Sequence, residues 1–313
     1  MVNTKTYKRY LLIFLFSLGT FVARGQQDPM FTQYMFNIQS VNPAYAGMWE
    51  RLGFMSMVRK QWAGIDRSPI TELVSFHSPI KNEFVGVGLN AMYDKIGYEK
   101  KLSIFGDYSY KLLLSNKLSL RLGLKFGFTN YNNNLEQYQL YPDGIYDPAF
   151  QGEIDLKFMP NFGVGGFLFT DNWYISLSTP KLIQNDFAAN INNYSSVAES
   201  RHFYLIAGYV YNLPQNIKFK PTILIKAAFG APVQADLGIN FHIKDRLELG
   251  VMYRTGDALA ALAQWKVTKN LTIGYATDFT LTEIRSYQNG TYEFYVSYDI
   301  DFYRRTYLRN RYF

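Results

Sequence analysis

Hydrophobic and polar residues alternate along much of this chain, and residues 118–129 show the pattern most cleanly. Leu118, Leu120, Leu122, Leu124, Phe126 and Phe128 share one side of an extended strand, with Ser119, Arg121, Gly123, Lys125, Gly127 and Thr129 on the other. No helix separates them this way. Six apolar positions two residues apart span roughly 33 Å, and a tilt of about 45° lowers that to about 25 Å, the height of the lipid-facing belt of an outer-membrane barrel. A soluble sandwich strand alternates too, so the number and spacing of similar stretches must decide.

The same reading predicts strands over residues 52–61, 71–78, 85–94, 99–113, 118–130, 158–170, 173–179, 202–212, 217–228, 233–243, 247–255, 258–267, 271–280 and 291–302. Alternation is sharp in 233–243 and 291–302. It is weak in 52–61, which selects no face, and in 258–267, whose composition suits a helix equally well. Fourteen is an even number, as closed bacterial barrels require. The connections after even-numbered strands are all short, whereas the two long ones, 131–157 and 180–201, both follow odd-numbered strands. Short turns in the periplasm and long loops outside are what an up-and-down barrel produces, and a sandwich has no reason to sort its loops by parity. The expectation is an all-β protein: a single up-and-down transmembrane β-barrel of about 14 antiparallel strands over residues 51–302.

The flanks differ. Residues 1–25 read as a signal peptide, with Lys5, Lys8 and Arg9 before the apolar run 11–22 and Ala23-Arg24-Gly25 as a cleavage site. Residues 26–50 lack period-2 order; Phe31, Tyr34, Met35, Phe36 and Ile38 lie between Asp28-Pro29 and Asn42-Pro43, a spacing that suits a short amphipathic helix followed by a tight turn. They are expected to form a plug or periplasmic segment packed inside or beneath the barrel. Residues 303–313 form a basic tail.

Composition agrees with a membrane barrel. The 313 residues include 26 Tyr and 25 Phe, which suit aromatic girdles at two water boundaries, and no Cys. Loss of the four signal-peptide cations lowers the formal charge from +7 to +3, so the basic balance argues for no nucleic-acid partner. The loop 131–157 interleaves Asn and Asp with Tyr138, Tyr141 and Tyr146, and 180–201 does so with Phe187 and Tyr194. Both are long enough for binding or plugging, and their aromatics favour contact with protein.

Catalysis finds little support. His77 and Ser78 are neighbours on a strand and point to opposite sides, while His242 and Asp236 share a face at a spacing of about 20 Å. Gly86-Val87-Gly88 and Gly163-Val164-Gly165-Gly166 lack the Lys-Ser/Thr of a phosphate loop, and Gly there is expected to relieve a crowded lumen. Asp299 and Asp301 are too isolated for a metal site. The expectation is no catalytic residue, no metal and no cofactor.

Four segments carry a resemblance: Phe31-Thr32-Gln33-Tyr34, Asn42-Pro43-Ala44-Tyr45-Ala46-Gly47, Gln61-Trp62-Ala63-Gly64-Ile65-Asp66 and His77-Ser78-Pro79. In this order they resemble the PorP/SprF family of type IX secretion membrane proteins, specifically over residues 26–95 and as barrel pattern beyond. The resemblance implies a non-enzymatic outer-membrane component that assists secretion or surface retention of cargo such as large, gliding-associated adhesins. Its implied partners are outer-membrane lipid, the C-terminal secretion domain of an adhesin, and periplasmic or lipoprotein parts of the machine. On this reading Phe31, Gln33, Tyr34, Asn42, Pro43 and Tyr45 face the periplasmic apparatus, the two long loops meet cargo, and Gln61, Trp62 and Asp66 join the partner-binding set. The alternative is an outer-membrane channel for small hydrophobic compounds with an N-terminal plug.

Overall fold

The computed structural model describes residues 28–49, 51–80, 83–138, 152–188 and 195–300, without the side chains of 186–188 and 195–198. The expected signal peptide, the tail 303–313, and Tyr141, Tyr146 and Tyr194 lie outside the described residues.

Fourteen antiparallel strands close into one barrel. They are β1 (Leu52–Lys60), β2 (Ile70–Ile80), β3 (Val85–Ile96), β4 (Glu99–Leu113), β5 (Ser119–Asn134), β6 (Glu153–Phe169), β7 (Trp173–Thr179), β8 (His202–Tyr209, resuming at Tyr211–Leu213), β9 (Ile217–Ala228), β10 (Gln234–Ile243), β11 (Leu247–Arg254), β12 (Ala258–Lys266), β13 (Leu271–Thr280) and β14 (Thr291–Ile300). Each pairs with its sequence neighbours, and β14 returns to β1 from Leu52↔Ile300 to Lys60↔Tyr292. Closure leaves no row of unpaired backbone groups to face lipid. The loop between β7 and β8 carries its own hairpin, Asn185–Ala188 with Ser195–Glu199.

The faces follow the alternation. Leu122, Leu124 and Phe126 of β5 are 50%, 57% and 56% exposed on the outer surface, while Arg121 and Lys125 between them are buried inside. The longer connections (61–69, 135–152, 180–201 and 281–290) share the end reached by odd-numbered strands, and the opposite end has only short turns. The long-loop end is therefore placed outside the cell and the short-turn end in the periplasm.

Of two weaker expectations, the strand over 258–267 holds and the short helix within 26–50 needs correction. The ambiguous 258–267 is strand β12: Ala258, Ala260 and Leu262 point inward and Leu259 and Trp265 outward. The helix-like composition arises because both faces of this strand meet apolar surroundings. Likewise, β1 buries Met55 and Met57 inside beside Arg59, so much of its lumen face is apolar and its alternation faint. Residues 26–50 contain no amphipathic helix among the described positions. Three 3-10 turns, Tyr34–Phe36, Ile38–Ser40 and Pro43–Tyr45, take its place, because this segment is surrounded by wall and has no solvent side to keep polar.

Candidate functional site within the barrel lumen

Residues 28–49 run along the inside of the barrel from the long-loop end to the short-turn end. Ile38, Ala44, Tyr45, Ala46 and Met48 are fully buried, and Phe31, Tyr34, Met35 and Phe36 nearly so. They pack on inward residues of the wall, including Met55, Met57, Phe167, Tyr204, Leu224 and Tyr295. Burial of each large apolar side chain contributes roughly 1.5–3 kcal/mol relative to exposure.

At the external end, Asp28 sits beside two lysines and a histidine, 3.4 Å from Lys181 Nζ, 3.6 Å from Lys101 Nζ and 3.4 Å from His202 Nδ1. Lys226 Nζ donates to the Asp28 carbonyl at 2.7 Å. Burial alone would raise the Asp28 carboxyl, but Lys181, Lys101, His202 and Lys226 outweigh it and hold the group well below the usual carboxylate range. Lys181 also pairs with Glu199 at 3.2 Å, and Glu199 accepts from Thr129, Asn161 and Asn185. The base of the loop 180–201 is thus tied to the start of the segment.

Deeper in, the backbone N–H groups of Thr32 and Gln33 each donate at 2.8 Å to the Glu293 carboxylate. The Thr32 hydroxyl donates to Asp278 at 2.6 Å. Arg59 bridges both acids, at 2.6 Å to Asp278 and 3.2 Å to Glu293, and Arg254 binds Asp236 at 3.0 Å beside them. Every member is buried, and such a cluster is stable because each charge has an opposite charge and further hydrogen bonds. Gln39 Nε2 donates at 3.0 Å to Asp107, which pairs with Lys125 at 2.8 Å.

Asn42 fixes the lower part. Its Nδ2 donates to Ser176 Oγ at 2.7 Å and to the Gly166 carbonyl at 3.1 Å, while its Oδ1 caps the following turn at Ala44 N. Pro43 occupies the first turn position, as expected where an N–H would be unused. The Ala46 carbonyl accepts from Ser109 Oγ at 2.7 Å and Arg121 Nη1 at 3.0 Å. The wall makes room with glycine: a Cβ on Gly123 would fall on the Ala44 backbone nitrogen, and one on Gly86 on the Ala46 carbonyl oxygen.

A cavity of about 200 Å³ opens at the short-turn end, lined by Phe36, Tyr45, Trp49 and Tyr295 together with Arg51 and Lys220. A smaller one of about 70 Å³ lies toward the long-loop end beside Asp28, Phe31 and Tyr34. His242 borders the larger cavity, 3.2 Å from Glu248, whose two oxygens accept from Lys220 at 2.8 and 3.1 Å. His77 packs edge-on against Trp49 at 5.3 Å. Among the described residues no three His, Asp or Glu side chains have metal-binding geometry.

The partner candidates therefore divide. Phe31, Gln33, Tyr34, Asn42, Pro43 and Tyr45 are brought together inside the lumen and face its wall; the expectation that they face the periplasm is corrected, because the segment is enclosed. Gln61 and Trp62 are half-buried and Asp66 is exposed in the external loop 61–69. That loop is stitched to 281–290 by Ala63 N to Gly290 O at 2.8 Å and Asn289 N to Ala63 O at 2.6 Å, across the seam between β1 and β14. Tyr138 stands at the same end against Tyr98, 4.9 Å between ring centres, and Phe187 belongs to the external hairpin. Sequence reasoning missed Asp28, Arg59, Asp278 and Glu293. For Arg59 and Glu293 the signal was opposite charge at inward positions of the two strands that meet on closure; Asp28 lies in no strand.

The model of the family described as type IX secretion system membrane protein PorP/SprF matches residues 23–298. No curated protein matches the chain. Among solved structures, the CymD monoaromatic hydrocarbon channel is 12% identical with a TM-score of 0.49, over 90% of this chain and 95% of that one. A Pseudomonas aeruginosa FadL homologue is 12% identical with a TM-score of 0.48, over 88% and 96%. The Acinetobacter baumannii outer membrane protein Omp33 is 10% identical with a TM-score of 0.48, over 81% and 100%.

Proposed function

From the premise that this chain belongs to the PorP/SprF family of type IX secretion system membrane proteins, we propose that it is a non-enzymatic outer-membrane component that helps export or retain cargo at the cell surface. The signal peptide is removed near Gly25, and residues 28–49 act as a plug that keeps the barrel closed. Cargo, of the adhesin class with a C-terminal secretion domain, is met by the external loops that carry Tyr138, Tyr141, Tyr146, Phe187 and Tyr194. Periplasmic or lipoprotein components of the apparatus meet the short turns.

The observation that carries this reading is the seating of the N-terminal segment. A lumen filled by buried side chains and an internal ion-pair cluster suits a rigid scaffold that presents loops better than a conduit. Its test is retrieval of cargo from intact envelopes by the tagged protein. Replacing Tyr138, Tyr141 and Tyr146 together with Ala should cut retrieval about tenfold if these aromatics are central contacts. Undiminished retrieval by a normally assembled variant would reject the loop assignment.

A further inference from the structure

On the outer surface, the apolar belt stops at one height on three adjacent strands at the external end. On β3 the outward series Leu89, Ala91, Tyr93 ends at Lys95, on β4 Ile104 and Leu102 give way to Lys100, and on β5 Phe126 and Phe128 are followed by Asn130 and Asn132. The register places Lys95 directly opposite Lys100, and Asn132 on the other side of Lys100. Both lysines are exposed, and neither has an ion-pair partner among the described residues. Like charges directly opposed across a strand pair are destabilising, yet here they stand together.

A third cation joins them. Arg67, from the loop 61–69, lies over the Tyr98 ring at 3.9 Å, and its carbonyl accepts from Gly97 N at 3.0 Å. Its weak 3.8 Å contact with the exposed Asp66 leaves the guanidinium edge open to a further acceptor. A recess of about 240 Å³ lies between these side chains, with Asn132, Asn134 and Gln137 completing its polar lining. Among the described residues of that lining Glu153 is the one carboxylate, and it accepts a hydrogen bond from Asn132. Asp155 and Lys157 neutralise each other nearby at 2.9 Å.

We propose that this recess binds the phosphate-bearing saccharide headgroup of an outer-leaflet glycolipid. A phosphate dianion between Lys95 and Lys100 converts a repulsive pair into two charge-assisted contacts, and Arg67 can add a bidentate one. The amides of Asn132, Asn134 and Gln137 offer donors and acceptors to sugar hydroxyls. Location selects a lipid over a soluble anion: the recess faces outward, and Leu102, Leu89 and Phe126 continue below it as a surface for acyl chains. It rests on the barrel and its orientation, not on the secretion role.

The test uses the full-length barrel in detergent, with native mass spectrometry against bisphosphorylated lipid A, the same lipid after phosphatase treatment, and inorganic phosphate. The intact lipid should be retained, and retention should fall about tenfold or more on dephosphorylation or in the Lys95→Gln/Lys100→Gln double variant, as expected for lost charge-assisted bonds. Lys117→Gln at the periplasmic end should change nothing. Heat-modifiable migration reports folding of each variant, and removal of the like-charged pair should not harm it. Equal retention of dephosphorylated lipid, or wild-type retention by the folded double variant, overturns the proposal. Displacement of the lipid by equimolar inorganic phosphate assigns the recess to free anions and overturns it as well.

Discussion

At the scale of single residues, the barrel wall is specified from both sides. Leu122 faces lipid, and Leu122→Arg should cost about 2–4 kcal/mol near the midplane, read as a lower folded fraction in the outer membrane. Lys125 lies on the opposite face and pairs with Asp107 inside, so Lys125→Leu should insert normally but loosen the N-terminal segment through Asp107 and Gln39. Limited proteolysis within residues 28–49 separates the two outcomes, and identical behaviour of both variants would reject the assigned faces. Gly123→Val is a third case, because its side chain would collide with the backbone at Ala44. An overpacked site costs about 1–3 kcal/mol, and here the segment, not the wall, should give way. Protease sensitivity near Ala44 with an unchanged barrel band on a gel is the expected result.

At the scale of elements, all fourteen strands were legible because burial on one face and lipid on the other enforce a period of two. Four of them, 99–113, 173–179, 217–228 and 271–280, match their sequence-derived limits at both ends. What failed to announce itself was the inside. Met55 and Met57 of β1 and Ala260 and Leu262 of β12 are apolar because residues 28–49 lie against them, and no periodicity within a strand reports such a partner. The segment of residues 28–49 was visible as an irregular interval rich in aromatics, legible as a plug or periplasmic piece but not in its contacts with the wall. Its attachment through Asp28 was invisible, since Lys101, Lys181, His202 and Lys226 converge only in the closed barrel. Asp28→Asn should therefore free the upper segment, at a cost of about 3 kcal/mol for breaking a largely buried pair, seen as faster hydrogen exchange at Phe31 to Tyr34. The sign of the pH effect follows from the depressed Asp28 carboxyl. Its stabilisation is complete above the ordinary aspartate value of about 3.9 and is lost only as pH falls through the lower folded value. Exchange in this segment should accordingly not quicken as pH is lowered from about 7 to about 5, once corrected for intrinsic rates; loosening by pH 5 in the wild type but not in Asp28→Asn would contradict the assignment.

At the scale of the whole molecule, the motifs that carry the family resemblance turn out to hold the barrel's interior and seam. Thr32 and Gln33 dock on Glu293, Asn42 to Ala46 dock on β4 to β7, His77 packs on Trp49, and Ala63 stitches the first external loop to the last. Motifs in such places serve the seating of residues 28–49 against the wall and the seam between the first and last strands. A fourteen-stranded barrel encloses enough space for solute passage once emptied, so closure is a property of the segment and can be removed separately from the wall. In planar bilayers the intact protein should be nearly silent, and deletion of residues 28–47 should produce steady conductance. The deletion exposes Met55, Met57 and Phe167 to water, so heat-modifiable migration must first show that the emptied barrel folds. Asp28→Asn and Gly123→Val, which leave the chain whole, should give intermittent openings at intermediate frequency. If the wild-type protein conducts as steadily as the deletion, the segment is no plug and the channel reading gains the ground that the scaffold reading loses.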